Sequence, residues 1–129
     1  MERWLEETIP VFHTRDAEVA KRWYARLGFV EEWTHRFEPT FPAFVSIRRG
    51  PAGAGVRIFL SEHGPADQPR GSLYLRVADI APVAEEFGAE VHDVVSRLEV
   101  ALEDPDGNHL TVGAMTGIPT PGYTSPEPE

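Results

Sequence analysis

The chain has no cysteine, few basic residues and no long hydrophobic run. Without cysteine it can form neither a disulfide nor a thiolate metal site, and we expect a cytoplasmic location. No apolar run approaches the ~18 residues that a transmembrane helix needs, so we expect no membrane partner. Lysine and arginine number 12 against 21 acidic residues, a net charge of -9. That charge disfavours binding to a nucleic-acid backbone and is compatible with a cationic ligand.

Several common catalytic patterns are also missing from the sequence. There is no Gly-x-Ser-x-Gly elbow, no phosphate-binding P-loop and no Gly-x-Gly-x-x-Gly after a predicted strand. The five histidines show no His-x-His or His-x-x-x-His spacing. What remains is a chain of 129 residues, 41% hydrophobic, which is enough for the core of one domain.

One structural unit is predicted twice along the chain: strand, aspartate cap, helix, glycine, strand, hairpin. Asp16 precedes an amphipathic segment that Gly28 ends, and Asp79, which follows Asp16 by 63 positions, precedes a shorter one that Gly88 ends. Pro10 places the first strand at a sheet edge, because proline donates no ladder hydrogen bond. We therefore predict one α+β domain, residues 1–129, with module one at 8–62, module two at 71–114 and a flexible tail at 115–129.

The helix and turn patterns make the prediction more specific. In the first helix Val19, Trp23 and Leu27 recur at helical spacing, with Ala20 and Tyr24 beside them, and predict an amphipathic stripe. The sequence Asp-Pro-Asp-Gly-Asn at 104–108 stands between the alternating runs 98–102 and 110–112. Proline presets φ, aspartate accepts backbone hydrogen bonds and glycine tolerates positive φ, so this segment predicts a hairpin turn.

Three segments together resemble a known family: Val-Phe-His-Thr-Arg-Asp at 11–16, Trp-Tyr-Ala-Arg-Leu-Gly-Phe at 23–29, and Ala-Leu-Glu-Asp-Pro-Asp-Gly-Asn at 101–108. They are similar to the glyoxalase/bleomycin resistance/dioxygenase superfamily, also called vicinal oxygen chelate, and to its bleomycin resistance protein branch in particular. The resemblance implies two βαβββ modules that form a half-barrel cup with the helices outside. It also implies a homodimer and leaves open an exchanged N-terminal strand.

Metal-dependent members of this family resemble one another in four ligand positions, and the three that can be placed in this sequence carry other residues here. They are Ile9, Ser72 and Thr111, where the family commonly has histidine, glutamine or glutamate. Neither an aliphatic side chain nor a neutral hydroxyl is a competent replacement for an imidazole or carboxylate ligand. We therefore predict no metal and no cofactor.

The same resemblance, combined with strand alternation, predicts which side chains face the cup. That face mixes aromatic, hydroxyl and charged groups, as a small-molecule site requires. The predicted ligand-binding residues are Trp33, Phe44, Phe59, Ser61, Ser72, Tyr74, Glu99 and Thr111. A flat aromatic ligand stacks on such rings, and a cationic group on it can lie over a ring face.

Three functions are compatible with these patterns. The leading one is metal-independent binding and sequestering of an antibiotic-like compound, including a bleomycin-type one, although Ser96 stands where the antibiotic-binding branch usually has a ligand-stacking tryptophan. The second is a metal-dependent lyase, isomerase or dioxygenase with an atypical site. The third is a non-catalytic module whose cup contacts a protein.

Overall fold

The computed structural model describes residues 6–51 and 54–116. The predicted N-terminal strand exchange, where it concerns residues 1–5, and the tail beyond residue 116 lie outside this range. In chain order the elements are β1 (Val11–His13), α1 (Ala17–Ala25), β2 (Phe29–Arg36), β3 (Ala43–Arg49), β4 (Val56–Ser61), β5 (Ser72–Arg76), α2 (Ala81–Phe87), β6 (His92–Val94), β7 (Arg97–Glu103) and β8 (His109–Met115).

The first four strands form one open mixed sheet, sheet 1, in the order β1-β4-β3-β2. Strand β1 runs parallel to β4, while β4 and β3, and β3 and β2, are antiparallel pairs. The predicted edge position of the first strand is confirmed: the carbonyl of Pro10 accepts from the Phe59 N–H at 2.9 Å, and β1 has no second neighbour among the described strands.

Helix α1 packs on one face of sheet 1. Its start is as predicted, because the Asp16 carboxylate accepts the backbone N–H groups of Glu18 and Val19. Of the predicted stripe, Ala20, Tyr24 and Leu27 are buried and Trp23 is half-buried, whereas Val19 is 38% exposed; Ala17 is buried as well. The buried face is therefore centred on Ala20 and Tyr24, one position along from Val19 and Trp23.

The last four strands form sheet 2, in the order β5-β8-β7-β6. Helix α2 begins with Ile80 at the cap position and not with Asp79 as predicted. The Asp79 carboxylate still accepts the Ala81 N–H at 3.0 Å, so it satisfies a free donor at the helix start. Proline in the first turn and Gly88 at the C-cap agree with the predicted ends.

The predicted repeat is visible in the backbone hydrogen bonds. Thr14 donates to the Ser61 carbonyl at 2.9 Å, and Val77, 63 positions later, donates to the Gly113 carbonyl at 2.8 Å. The strand alternation that predicts the cup-facing side chains also predicts an aliphatic set on the opposite face, under the helices, and this set is buried apart from half-buried Leu73. Its buried members are Ile58, Leu60, Leu75, Val77, Leu110 and Val112.

The Asp-Pro-Asp-Gly-Asn turn is held by a buried aspartate. Asp104, which is 4% exposed, accepts from the Tyr24 hydroxyl at 2.7 Å, from the side-chain amide of Asn108 at 2.9 Å and from two backbone N–H groups of the turn. Asn108 in turn accepts from the Gly71 N–H at 2.8 Å and donates to the His13 carbonyl at 3.2 Å. Burial and the Asp104 carboxylate raise the pKa of Tyr24 above its ordinary value.

By its contacts the chain divides into two compact units. Unit 1 contains the described residues up to Leu73 together with Glu103–His109, and unit 2 contains Tyr74–Leu102 and the described residues from Leu110 onward. The turn thus packs with unit 1, although it lies inside the predicted module two. The predicted α+β class is confirmed; the module boundaries 8–62 and 71–114 stay a prediction.

Candidate functional site

A β-bulge in strand β2 shapes the face of sheet 1 opposite helix α1. Glu31 pairs with Ile47 and Trp33 pairs with Ser46, and the register shifts between them at Glu32. A bulge places two successive residues against one on the neighbouring strand. Glu32 and Trp33 consequently both contact the same face of the sheet, whereas Glu31 pairs with Lys21 of helix α1 at 2.9 Å.

Three aromatic rings form a cluster on this face, which we call the aromatic cluster: Trp33, Phe44 and Phe59. Trp33 stacks on Phe44 with ring centroids 6.1 Å apart and planes at 25°, and it lies 5.6 Å from Phe59. The Phe44 and Phe59 rings are 5.1 Å apart. Trp33 remains 44% exposed. The cluster therefore contains a partly exposed indole ring that packs against two phenylalanine rings.

A group of charged residues, the ionic cluster, adjoins the aromatic cluster on the same face: Glu32, Arg48, Arg57 and Glu7. One Glu32 oxygen accepts from the Ser46 hydroxyl at 2.7 Å and from Arg57 Nε at 2.6 Å. The other accepts from Arg57 Nη2 at 3.1 Å and Arg48 Nη1 at 2.9 Å. The hydrogen bonds from Arg57, followed by that from Ser46, lower the pKa of Glu32 from 4.5 to about 2.

The lowered pKa of Glu32 predicts how the stability of the protein changes in acid. Its folded-state pKa lies below its ordinary value, so its contribution to the free energy of unfolding is complete above pH 4.5 and is lost as the pH falls towards about 2. We expect Glu32→Gln to be less stable at pH 7 and to lose less stability across this window than wild type. Urea unfolding between pH 6 and pH 2 measures it; parallel curves for both proteins would contradict it.

Unit 2 contains a second group of polar side chains around Tyr74. The Tyr74 hydroxyl donates to Glu99 at 2.8 Å, and Arg97 Nε lies 2.9 Å from the same carboxylate oxygen. Desolvation, followed by the hydrogen bond to Glu99, raises the pKa of Tyr74. The phenol lies directly over Gly113, where an added Cβ would be 2.0 Å from the hydroxyl oxygen.

The predicted ligand-binding residues fall into two groups, one in each unit. Unit 1 brings Trp33, Phe44 and Phe59 together. Ser61 pairs with Phe44 across the strands, but it is buried and its hydroxyl accepts from the His63 N–H at 3.1 Å. Unit 2 brings Tyr74 and Glu99 together. Ser72 is exposed at the start of β5, and Thr111 is half-buried on β8.

The residues at the family's metal positions do not fit a divalent metal. Ile9 carries no donor atom, and the hydroxyls of Ser72 and Thr111 are weak ligands without a carboxylate or imidazole beside them in the ligand set. Among residues 6–51 and 54–116 there is no group of three or more histidine, aspartate or glutamate side chains that could hold a metal ion. We derive no metal-assisted step for this chain.

A small cleft elsewhere in unit 1 contains none of the predicted ligand-binding residues. Its most prominent contact is an ion pair between Arg15 Nε and Asp106 at 3.1 Å, and Arg15 also donates to the Pro105 carbonyl at 3.0 Å. These bonds tie the turn to the start of helix α1, so we assign the cleft a structural role. Its lining is His13, Arg15, Ala66, Gln68, Pro69, Arg70, Asp106 and Asn108.

The ionic cluster was not predicted from the sequence. Strict alternation from Trp33 places Glu32 on the opposite face, with the helix, and only the bulge brings it to the face of the aromatic rings. One signal was available: Arg48 and Arg57 both fall on the predicted open face of their strands, and two like charges on paired strands favour a carboxylate beside them.

No helix in the parts of the chain that the structure describes is long and apolar enough to cross a membrane. A family model for glyoxalase superfamily proteins matches residues 2–111. A search of curated proteins finds no match.

Solved structures share the fold at low sequence identity. TnmS3, an antibiotic binding protein from Streptomyces sp. CB03234, is 22% identical with a TM-score of 0.63, over 88% of this chain and 100% of that one. A bleomycin-binding protein complexed with bleomycin is 19% identical with a TM-score of 0.59, over 85% and 98%. The trypanothione-dependent glyoxalase I of Leishmania major is 16% identical with a TM-score of 0.57, over 81% and 82%. The predicted fold is thereby confirmed.

Proposed function

The chain belongs to the glyoxalase superfamily, and we propose that it binds a small aromatic compound without converting it chemically. The superfamily fold hosts both binding proteins and enzymes, as the antibiotic-binding proteins and the glyoxalase I among the similar structures illustrate. The choice between them must come from the side chains of this chain.

The observation that supports binding is the aromatic cluster. Trp33 is 44% exposed although it stacks on Phe44 and contacts Phe59. An indole held in a fixed orientation by two rings loses little freedom when a flat ligand stacks on it, and a good aromatic pair adds roughly 0.5–1.5 kcal/mol beyond the buried area. The residues at the metal positions argue against metal-assisted turnover. Sequestering of an antibiotic, and resistance to it, is the biological role that this proposal favours.

We expect Trp33→Ala to weaken binding of a flat aromatic probe about tenfold, because the stacking surface is removed. Isothermal titration calorimetry with 2-naphthylmethanol and with metal-free bleomycin measures the change. Phe41→Ala is the matched control: Phe41 is also an exposed aromatic residue, 43% exposed, but it pairs with Phe37 outside the cluster.

Two results would argue against the proposal. If wild-type protein binds neither probe at millimolar concentration, the cluster does not take aromatic compounds. If Trp33→Ala and Phe41→Ala weaken binding equally, the ligand is held elsewhere. Binding of 2-naphthylmethanol without bleomycin would retain the binding function and remove the bleomycin-type ligand.

The enzyme alternative is supported by the relationship to glyoxalase I alone. An enzyme of that type needs a metal, so the discriminating experiment is elemental analysis of protein purified without chelator. Stoichiometric iron, manganese, nickel or zinc would favour a lyase, isomerase or dioxygenase with an atypical site.

We also propose that the protein acts as a cytoplasmic homodimer. The support is family resemblance together with the edge position of β1, whose outer side has no strand neighbour in the described part of the chain. Light scattering after size-exclusion chromatography tests the dimer, and a monomer at micromolar concentration would remove it from the proposal. The aromatic cluster can be explained without an exchanged N-terminal strand and without a protein partner that contacts the cup.

A further inference from the structure

The aromatic and ionic clusters form one continuous surface of sheet 1. Trp33 pairs with Ser46 and Ser46 pairs with Phe59, so a single row across three strands carries two of the three rings and the hydroxyl that donates to Glu32. The next row of the same face pairs Arg48 with Arg57. A ligand stacked on Trp33 therefore has charged groups within about two residues along the strand, roughly 7 Å.

The carboxylate nearest the rings is not available to a cationic ligand. Each oxygen of Glu32 already accepts two hydrogen bonds, from Ser46 and Arg57 on one side and from Arg57 and Arg48 on the other. Its side chain is only 12% exposed. A carboxylate has about four acceptor positions, so Glu32 is saturated by partners of this chain.

The exchangeable position is on Arg57. Glu32 takes Nε and Nη2 of this guanidinium and fixes its plane, while Nη1 pairs with Glu7. The Glu7 side chain is 43% exposed, so its ion pair with Arg57 is screened by solvent and worth little. A ligand carboxylate that replaces Glu7 keeps the two arginines balanced by two carboxylates.

We propose that this surface recognises an aromatic compound that carries a carboxylate, with the ring on Trp33 and the carboxylate on Arg57 in place of Glu7. The inference rests on the proposed binding function and specifies its ligand class. It differs from the expectation of a cationic ligand, which followed from the net charge of the whole chain. The local charges beside the rings favour an anion, because Arg57 is the group whose partner can be exchanged.

The test compares three probes with the same ring system: 2-naphthoate, neutral 2-naphthylmethanol and cationic 2-naphthylmethylammonium. Wild-type protein should bind 2-naphthoate at least threefold more tightly than the other two in calorimetric titrations at low salt. Glu7→Gln removes the competing carboxylate and should tighten 2-naphthoate about fivefold, with a change below twofold for the neutral probe. Glu6→Gln, which removes the same charge one position earlier, should leave this preference as in wild type.

A variant of the arginine completes the design. Arg57→Lys keeps the charge but loses the planar fork, and it should weaken 2-naphthoate about fivefold while the neutral probe is little affected. Circular dichroism verifies that each variant is folded. Equal binding of all three probes, or a preference for the ammonium, overturns the carboxylate inference and leaves the binding function in place. Absence of binding by every probe overturns the binding function itself.

Discussion

Asp104→Ala is expected to lower the free energy of unfolding by about 3–5 kcal/mol. The substitution leaves four donors that now point at the carboxylate without their acceptor: the Tyr24 hydroxyl, the Asn108 amide and the N–H groups of Asp106 and Asn108. A buried donor without a partner costs about 1–3 kcal/mol. Because domains of this size are stable by only about 5–15 kcal/mol, the change should be evident in thermal and urea unfolding.

Two further variants separate the hydrogen bonds from a general effect of the substitution. Tyr24→Phe deletes one donor and should cost about 1 kcal/mol. The double variant should be less destabilised than the sum of the single ones, because the hydroxyl no longer lacks a partner. Asp67→Ala, at an exposed loop aspartate, is the control and should be nearly neutral. An Asp104→Ala protein as stable as Asp67→Ala would show that the turn does not hold unit 1 together.

The turn illustrates what local sequence can and cannot predict. Its chemistry was predicted from four residues: Pro105, the two aspartates beside it and Gly107, whose φ of 88° is in the region that glycine favours. The residues that the turn binds elsewhere in the chain were not predicted. Tyr24 lies 80 positions earlier and Gly71 37 positions earlier, and no periodicity within the turn reports a contact at that separation. The role of Asp104 as a buried acceptor is evident only when the fold places it against Tyr24 of helix α1.

The open face of sheet 1 shows a different limit. Alternation predicted that Phe44 and Phe59 share a face, and they do so because both strands are regular at these positions. Trp33 was a candidate because it is an aromatic residue on the predicted second strand. Glu32 escaped because a bulge changes the parity of every residue before it, and a bulge depends on pairing between strands that a single strand's pattern does not contain. The position of the Glu32 carboxylate therefore could not be predicted from the alternation of β2, and the net charge of the chain was a poor guide to the charges around the rings.

Gly113→Ala is expected to destabilise unit 2 by about 1 kcal/mol. The added Cβ would lie 2.0 Å from the Tyr74 hydroxyl oxygen, 2.8 Å from its Cζ and 3.2 Å from Cγ of Glu99. Tyr74 is 48% exposed, so its ring can turn away from the added methyl group, but this movement breaks the hydrogen bond to Glu99, and a lost hydrogen bond costs about 0.5–1.5 kcal/mol.

Tyr74→Ala tests the cause of this destabilisation. With the ring removed, the closest of these contacts is Glu99 Cγ at 3.2 Å, which can shift by a few tenths of an ångström, so Gly113→Ala should be nearly neutral in the Tyr74→Ala background. The measurement is a double-mutant cycle in urea at pH 7. A penalty of the same size in both backgrounds would mean that position 113 requires glycine for its backbone. A penalty that is lost in the Tyr74→Ala background would show that glycine at 113 makes room for Tyr74 to lie across β8 and reach Glu99 on β7. The hydrogen bond between Tyr74 and Glu99 joins two of the predicted ligand-binding residues, so its strength decides how firmly unit 2 holds them in place.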